Sequence, residues 1–151
     1  MKKKIWLIAV VAVAAALLVG NFIRLAVPQS LERLLEFPDG EPTVINGIVV
    51  GDVFSPIVTH RTDDAQTMAQ VMELLRALEM KYVSSSDVYH VSDGESIRVG
   101  VRFTDGSVRS FSFSVGGSIR CNDKNYFCDD KAALKELAEL VKSWEVTHVS
   151  E

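Results

Sequence analysis

An α+β fold is expected from three features of this 151-residue chain. The first is an uncharged run near the N-terminus. The second is a stretch of strict two-residue alternation in the C-terminal half. The third is a pair of segments on either side of it, each with apolar residues at helical spacing. Together they predict an N-terminal transmembrane helix followed by an antiparallel β-meander with two helices packed on one face.

The uncharged run is Ile5 to Ile23 (IWLIAVVAVAAALLVGNFI), and Lys2, Lys3 and Lys4 directly precede it. As a helix it would be roughly 28 Å long, the thickness of a bilayer core. The lysines favour a cytoplasmic N-terminus. The expectation is a single-pass protein of the cell membrane with its C-terminal domain outside. A basic segment before an apolar run also describes a cleaved signal peptide. Its best small-residue cleavage site, Ala14-Ala15-Ala16, lies inside the run and would leave Leu17-Leu18-Val19 at the new terminus. An uncleaved signal-anchor is therefore expected. No cysteine is available there for lipidation. Ala12, Ala16 and Gly20 recur every four residues, a small-residue stripe on which another helix could pack. The plain alternative is an alanine-rich anchor.

The chain divides into a cytoplasmic stub and anchor (1–27), a juxtamembrane spacer (28–41), an extracytoplasmic domain (42–146) and a frayed tail (147–151). In the spacer, Ser30-Leu31-Glu32 opens a short amphipathic turn that stops before Pro38. Asn46-Gly47 between Thr43-Val44-Ile45 and Ile48-Val49-Val50 reads as a tight hairpin turn. Met68, Val71, Met72, Leu75 and Leu78 predict a helix over about Asp64–Glu79, capped by Asp63. A strand is expected over Tyr82–His90, ending at Ser92-Asp93-Gly94.

Ile97, Val99, Val101 and Phe103 then alternate with Ser96, Arg98, Gly100 and Arg102. After Asp105-Gly106, Phe111, Phe113 and Val115 alternate with serines. Because side chains switch face at every residue, a two-residue loop would put the two apolar sets on opposite faces. A three-residue loop Thr104-Asp105-Gly106, with Gly106 left-handed, restores one apolar face and pairs Val99 with Phe111. An odd loop Gly116-Gly117-Ser118 does the same for Ile119 and Cys121. A strand Tyr126–Cys128 follows. The last helix, capped by Asp129 or Asp130, buries Leu134, Leu137, Val141 and Trp144.

The net charge is −4, and the part after residue 24 carries −8. Such a domain repels polyanions, so nucleic acid is not an expected partner. No cofactor motif is found. Asp63-Asp64 and Asp129-Asp130 sit where helix N-termini favour acids, which explains them without catalysis. His60, His90 and His148 are not brought together by any pattern. No serine has the glycine neighbours of a nucleophile elbow, and no glycine-rich loop joins a strand to a helix. Cys121 and Cys128 flank a turn and are candidates for a disulfide in an exported domain, or for two buried thiols. The outward face of the meander would carry Arg98, Arg102, Ser112, Ser114 and Arg120, with Arg98 beside Ser112 and Arg120 beside Ser114. Guanidinium groups framing hydroxyls suit a carboxylate or a sugar. A merely solvated strand face has the same composition.

From Thr62 to Trp144 the pattern of capped helix, the meander VRFTDGSVRSFSF, a Cys/Asn turn, a tyrosine-containing strand and a closing helix resembles small membrane-anchored or lipid-anchored extracytoplasmic domains of unknown function from Gram-positive bacteria. The resemblance implies no activity and transfers no site. The expected function is a membrane-anchored binding or accessory module of the cell envelope, not an enzyme. Its expected partners are the membrane and another membrane or envelope protein. Two alternatives are a secreted inhibitor or immunity-type protein released by signal cleavage, and an envelope enzyme with a scattered acidic site.

Overall fold

Alternating burial along Ser96–Phe103 and Val108–Ser114 makes these segments the centre of a sheet with one apolar face. A computed structural model describes residues 2–51, 55–83 and 95–150; in the first helix, side chains are described for Trp6 and Ala9–Gly20. The elements in chain order are α1 (Lys2–Ala26), β1 (Gln29–Ser30), α2 (Leu31–Leu35), β2 (Pro42–Val50), β3 (Ile57–Thr62), α3 (Ala65–Ala77), β4 (Glu79–Tyr82), β5 (Ser96–Phe103), β6 (Val108–Ser114), β7 (Ser118–Cys121), β8 (Lys124–Phe127), α4 (Lys131–Lys142) and β9 (Glu145–Ser150). Most of the strand expected over Tyr82–His90, its turn at Ser92-Asp93-Gly94, and His90 lie outside the described residues.

The sheet corrects the predicted fold class in two ways. First, it is not a simple meander. Among the described residues it has nine strands in the order β1-β4-β8-β7-β6-β5-β2-β3-β9, and the described pairs are antiparallel. Only β5 to β8 follow one another as a meander. The chain leaves β3 near one edge, crosses through α3, and enters β4 near the other. It returns from β8 through α4 to β9. Both crossings lie on one face, so the helices cover the apolar side between strands that are far apart in the sheet.

Second, among the described residues no helix is long and apolar enough to cross a membrane. The transmembrane helix, and with it the membrane and signal-anchor reading of Ile5–Ile23, is withdrawn. Ala12, Ala16 and Gly20 are exposed, and a Cβ at Gly20 would meet nothing within 4 Å. The small-residue stripe packs on no described part of the chain.

The core is one cluster. Ile45, Ile97, Val99, Val101, Phe103, Phe111, Phe113 and Ile119 from the sheet meet Val71 and Leu75 of α3 and Leu134, Leu137 and Val141 of α4. The helix ends obey capping chemistry. Asp64 Oδ2 accepts from Thr67 N at 2.8 Å, and Asp130 Oδ1 from Ala133 N at 3.0 Å. The cap of α3 is thus Asp64 and not Asp63, because Thr62 Oγ1 takes the Asp64 N–H and holds the chain extended for one more residue.

The segment read as a spacer belongs to the domain. Leu31 and Leu35 are 0 % and 2 % exposed, and β1 pairs with β4. Likewise, the residues expected to fray at the end form β9 along β3.

Asn46-Gly47 is no turn. β2 runs straight through it, with Asn46 opposite Arg61 and Gly100, and Gly47 opposite His60 and Val99. Gly47 faces the helices, where an added Cβ would collide with Val141 and come within 3.4 Å of Trp144. The glycine lets α4 approach the sheet closely. Gly47→Ala is expected to cost about 1–3 kcal/mol through overpacking. Urea unfolding checks this, and Val141→Ala in the same chain should recover part of the loss by making room.

Candidate anion-binding face

The hairpin β5–β6 positions the site, and glycine chemistry defines its register. Gly106 N donates to Phe103 O, Phe103 N donates to Ser107 O, and Gly106 has φ +81°. This is the three-residue loop that parity requires, and it sets Val99 opposite Phe111 and Arg98 opposite Ser112. At the next turn Gly117 has φ +109° and its N–H donates to Ser114 O. The loop there is Val115-Gly116-Gly117, also odd but one residue earlier than expected.

That one-residue difference rearranges the face. Arg120 stands opposite Ser112 and not Ser114. Arg98 of β5 and Arg120 of β7 therefore flank the same serine, from strands about 9.6 Å apart. Both are on the face turned away from the helices. A cleft of about 340 Å³ lies over them, lined also by Ser110, Asn122 and Asp123. Gly100 adjoins it, opposite Ser110 on one side and Asn46 on the other. Among the described residues a Cβ at Gly100 would meet nothing within 4 Å, which leaves space at this point of the face.

Two of the expected residues stand apart. Arg102 is on the same face but does not line the cleft. Ser114 is 8 % exposed, with its Oγ buried and without a hydrogen-bond partner among the described residues. Parity identified the face. Asn122 was missed because it lies in a turn, where alternation assigns no face.

The electrostatics favour an anion. Strands β2, β3 and β5 to β8 contain no Asp or Glu, and on the face turned away from the helices they carry Arg61, Arg98, Arg102 and Arg120, while Arg109 and Lys124 stand opposite Val101 and Cys121 on the other face. In an acidic chain this is a marked segregation of charge. Arg120 Nη2 lies 3.5 Å from Asp123 Oδ1, but both side chains are largely exposed, and such a pair contributes little. Among the described residues neither Arg98 nor Arg102 has a carboxylate within salt-bridge distance.

The other candidates do not assemble. Among the described residues no three His, Cys, Asp or Glu side chains form a group that could hold a metal. His60 is buried against Trp144 O at 3.3 Å, while His148 is on exposed β9. Hydrogen bonds from Thr67 hold the Asp64 carboxyl below the usual range, as helix capping requires.

The disulfide is excluded by register. Cys128 N donates to Gly117 O, so Cys128 lies across from Gly117, four residues along the strand from Cys121. That is about 13 Å, beyond any disulfide. Both thiols are free and buried. Burial pushes the Cys121 thiol from 9.0 up to about 11, and raises Cys128 as well. In the unfolded chain the thiol ionises first, so its contribution to stability is full below pH 9 and is lost as pH rises towards 11. We expect the urea midpoint to fall between pH 8.5 and 10.5 less in Cys121→Val than in the native chain. Native protein should also react slowly with a thiol reagent at pH 8 and take up two equivalents once unfolded.

Comparison with known protein families, curated proteins and solved structures gives no match.

Proposed function

We propose that this protein is a binding module that receives a carboxylate on the exposed face of its sheet, and that it acts by binding rather than by catalysis. The observation that carries this reading is the placement of Arg98 and Arg120 on either side of Ser112, beside the open position at Gly100. Two guanidinium forks can each donate paired N–H groups to a carboxylate, and the serine hydroxyl between them supplies a further donor. Among the described residues nothing lies within 4 Å of a Cβ placed at Gly100, so there a ligand group meets free space.

Gly100→Val tests the reading without touching a charge. The substitution suits a strand, and its Cβ has free space in the folded chain. It should leave the unfolding midpoint unchanged or slightly raised. It should weaken succinate binding by five-fold or more, because the new side chain crowds the space next to Arg98 and Ser110 at the edge of the cleft. Unchanged succinate affinity in a folded Gly100→Val variant would contradict the site.

A further inference from the structure

On the helix side of the sheet a second cavity, about 440 Å³, lies between α2 and the β4–β8 edge. Its apolar floor comes from Met80, 1 % exposed, and Tyr126, 9 % exposed. Tyr82, paired with Tyr126 across the strands, is 41 % exposed, and the two rings meet edge to face with centroids 5.9 Å apart. The rim is polar and mixed: Gln29, Arg33, Glu36, Asn122 and Lys124. Among the described residues, no ion pair engages the side chain of Arg33, Glu36 or Lys124. Three charged groups thus surround one cleft without neutralising each other.

We infer that this cleft is a binding site for an acidic sugar, on the opposite side of the sheet from the arginine cleft, with Asn122 of the β7–β8 turn bordering both. A pyranose ring has apolar C–H faces that pack on aromatic rings, and Tyr82 and Tyr126 supply such a surface. Its hydroxyls both donate and accept, so a site needs groups of both kinds. Arg33 and Lys124 donate, while the Asn122 amide oxygen and the Glu36 carboxylate accept. Cations outnumber acids on the rim by two to one, which favours a ring bearing a carboxylate. The cavity volume is within the range of small-molecule sites, and its lining is mainly polar, which suits a ligand rich in hydroxyls. The elements that form it are well held. Asn122 Nδ2 donates to Leu34 O at 2.8 Å, tying the β7–β8 turn to α2, and Leu31 and Leu35 anchor α2 in the core.

The test is a titration of the full chain with D-glucuronate, followed by backbone amide shifts at constant ionic strength, with D-glucose as the neutral counterpart. We expect shifts at Arg33, Tyr82, Lys124 and Tyr126, and affinity for glucose at least ten-fold lower. Tyr82→Ala should weaken glucuronate binding at least ten-fold. Lys124→Gln, on an exposed side chain that leaves folding intact, should weaken it by five-fold or more. Arg98→Ala should leave it unchanged. Absence of shifts with glucuronate at tens of millimolar would overturn the site. So would equal affinity for glucose, or binding that survives Tyr82→Ala and Lys124→Gln. Binding lost in Arg98→Ala instead would assign the sugar to the arginine face and also overturn this site.

Discussion

Phe103→Ala should destabilise the protein by about 3–5 kcal/mol, the largest loss expected from any single substitution discussed. Phe103 ends β5 and is 2 % exposed. Its backbone N–H closes the three-residue hairpin loop through Ser107 O, and its ring lies 5.4 Å from that of Phe37. Truncation leaves a cavity where the hairpin, the core and the chain after α2 meet, and little can collapse into it. The Phe37 contact gives a sharper readout. If residues 28–41 are part of the domain, Phe37→Leu and Phe103→Leu should show a coupling energy of about 0.5–1.5 kcal/mol in a double-mutant cycle. Additive effects would mean that this segment is only loosely attached.

The second large effect is on binding. Arg98→Ala combined with Arg120→Ala should reduce affinity for succinate by about a hundred-fold or more. Hydrogen bonds to charged groups contribute roughly 1.5–3 kcal/mol each, so two lost contacts multiply. Stability should change by no more than about 0.5 kcal/mol per site, because neither side chain is buried and the Asp123 pair is solvent-screened. Arg102→Ala is the internal control. It removes the same charge from the same face but lies outside the cleft. It should weaken binding about two-fold, and that loss should disappear at high salt.

The parts of the fold that follow from local chemistry were legible in the sequence. Alternation along Ile97–Phe103 and Phe111–Val115, with Gly106 at the one position that needs a left-handed residue, determines the β5–β6 register. The helix caps also follow, to within a residue. What was not legible depends on partners distant in sequence. Asn46-Gly47 has the chemistry of a turn, but Gly47 is there because α4, nearly a hundred residues later, packs against it. No local pattern shows that β2 and β3 extend the sheet beyond β5, or that two helical crossings carry the chain from edge to edge. Leu31 and Leu35 gave a short amphipathic signal compatible with either a spacer or a core element. The site was half legible. Parity placed Arg98 and Arg120 on one face, but the choice of loop residues at Gly116-Gly117 decided which serine they share. In a run of two glycines, either frame satisfies parity.

The proposed carboxylate site lies on the arginine-lined face of the sheet. Its most direct test is the amide-shift map of the full, isotopically labelled chain titrated with succinate, with sodium chloride added to the reference to match ionic strength. The prediction is a contiguous set of shifts at Arg98, Gly100, Ser110, Ser112 and Arg120, saturating with one dissociation constant. Shifts absent after the ionic-strength correction, or spread over the surface cations without a cluster on β5 to β7, would contradict it.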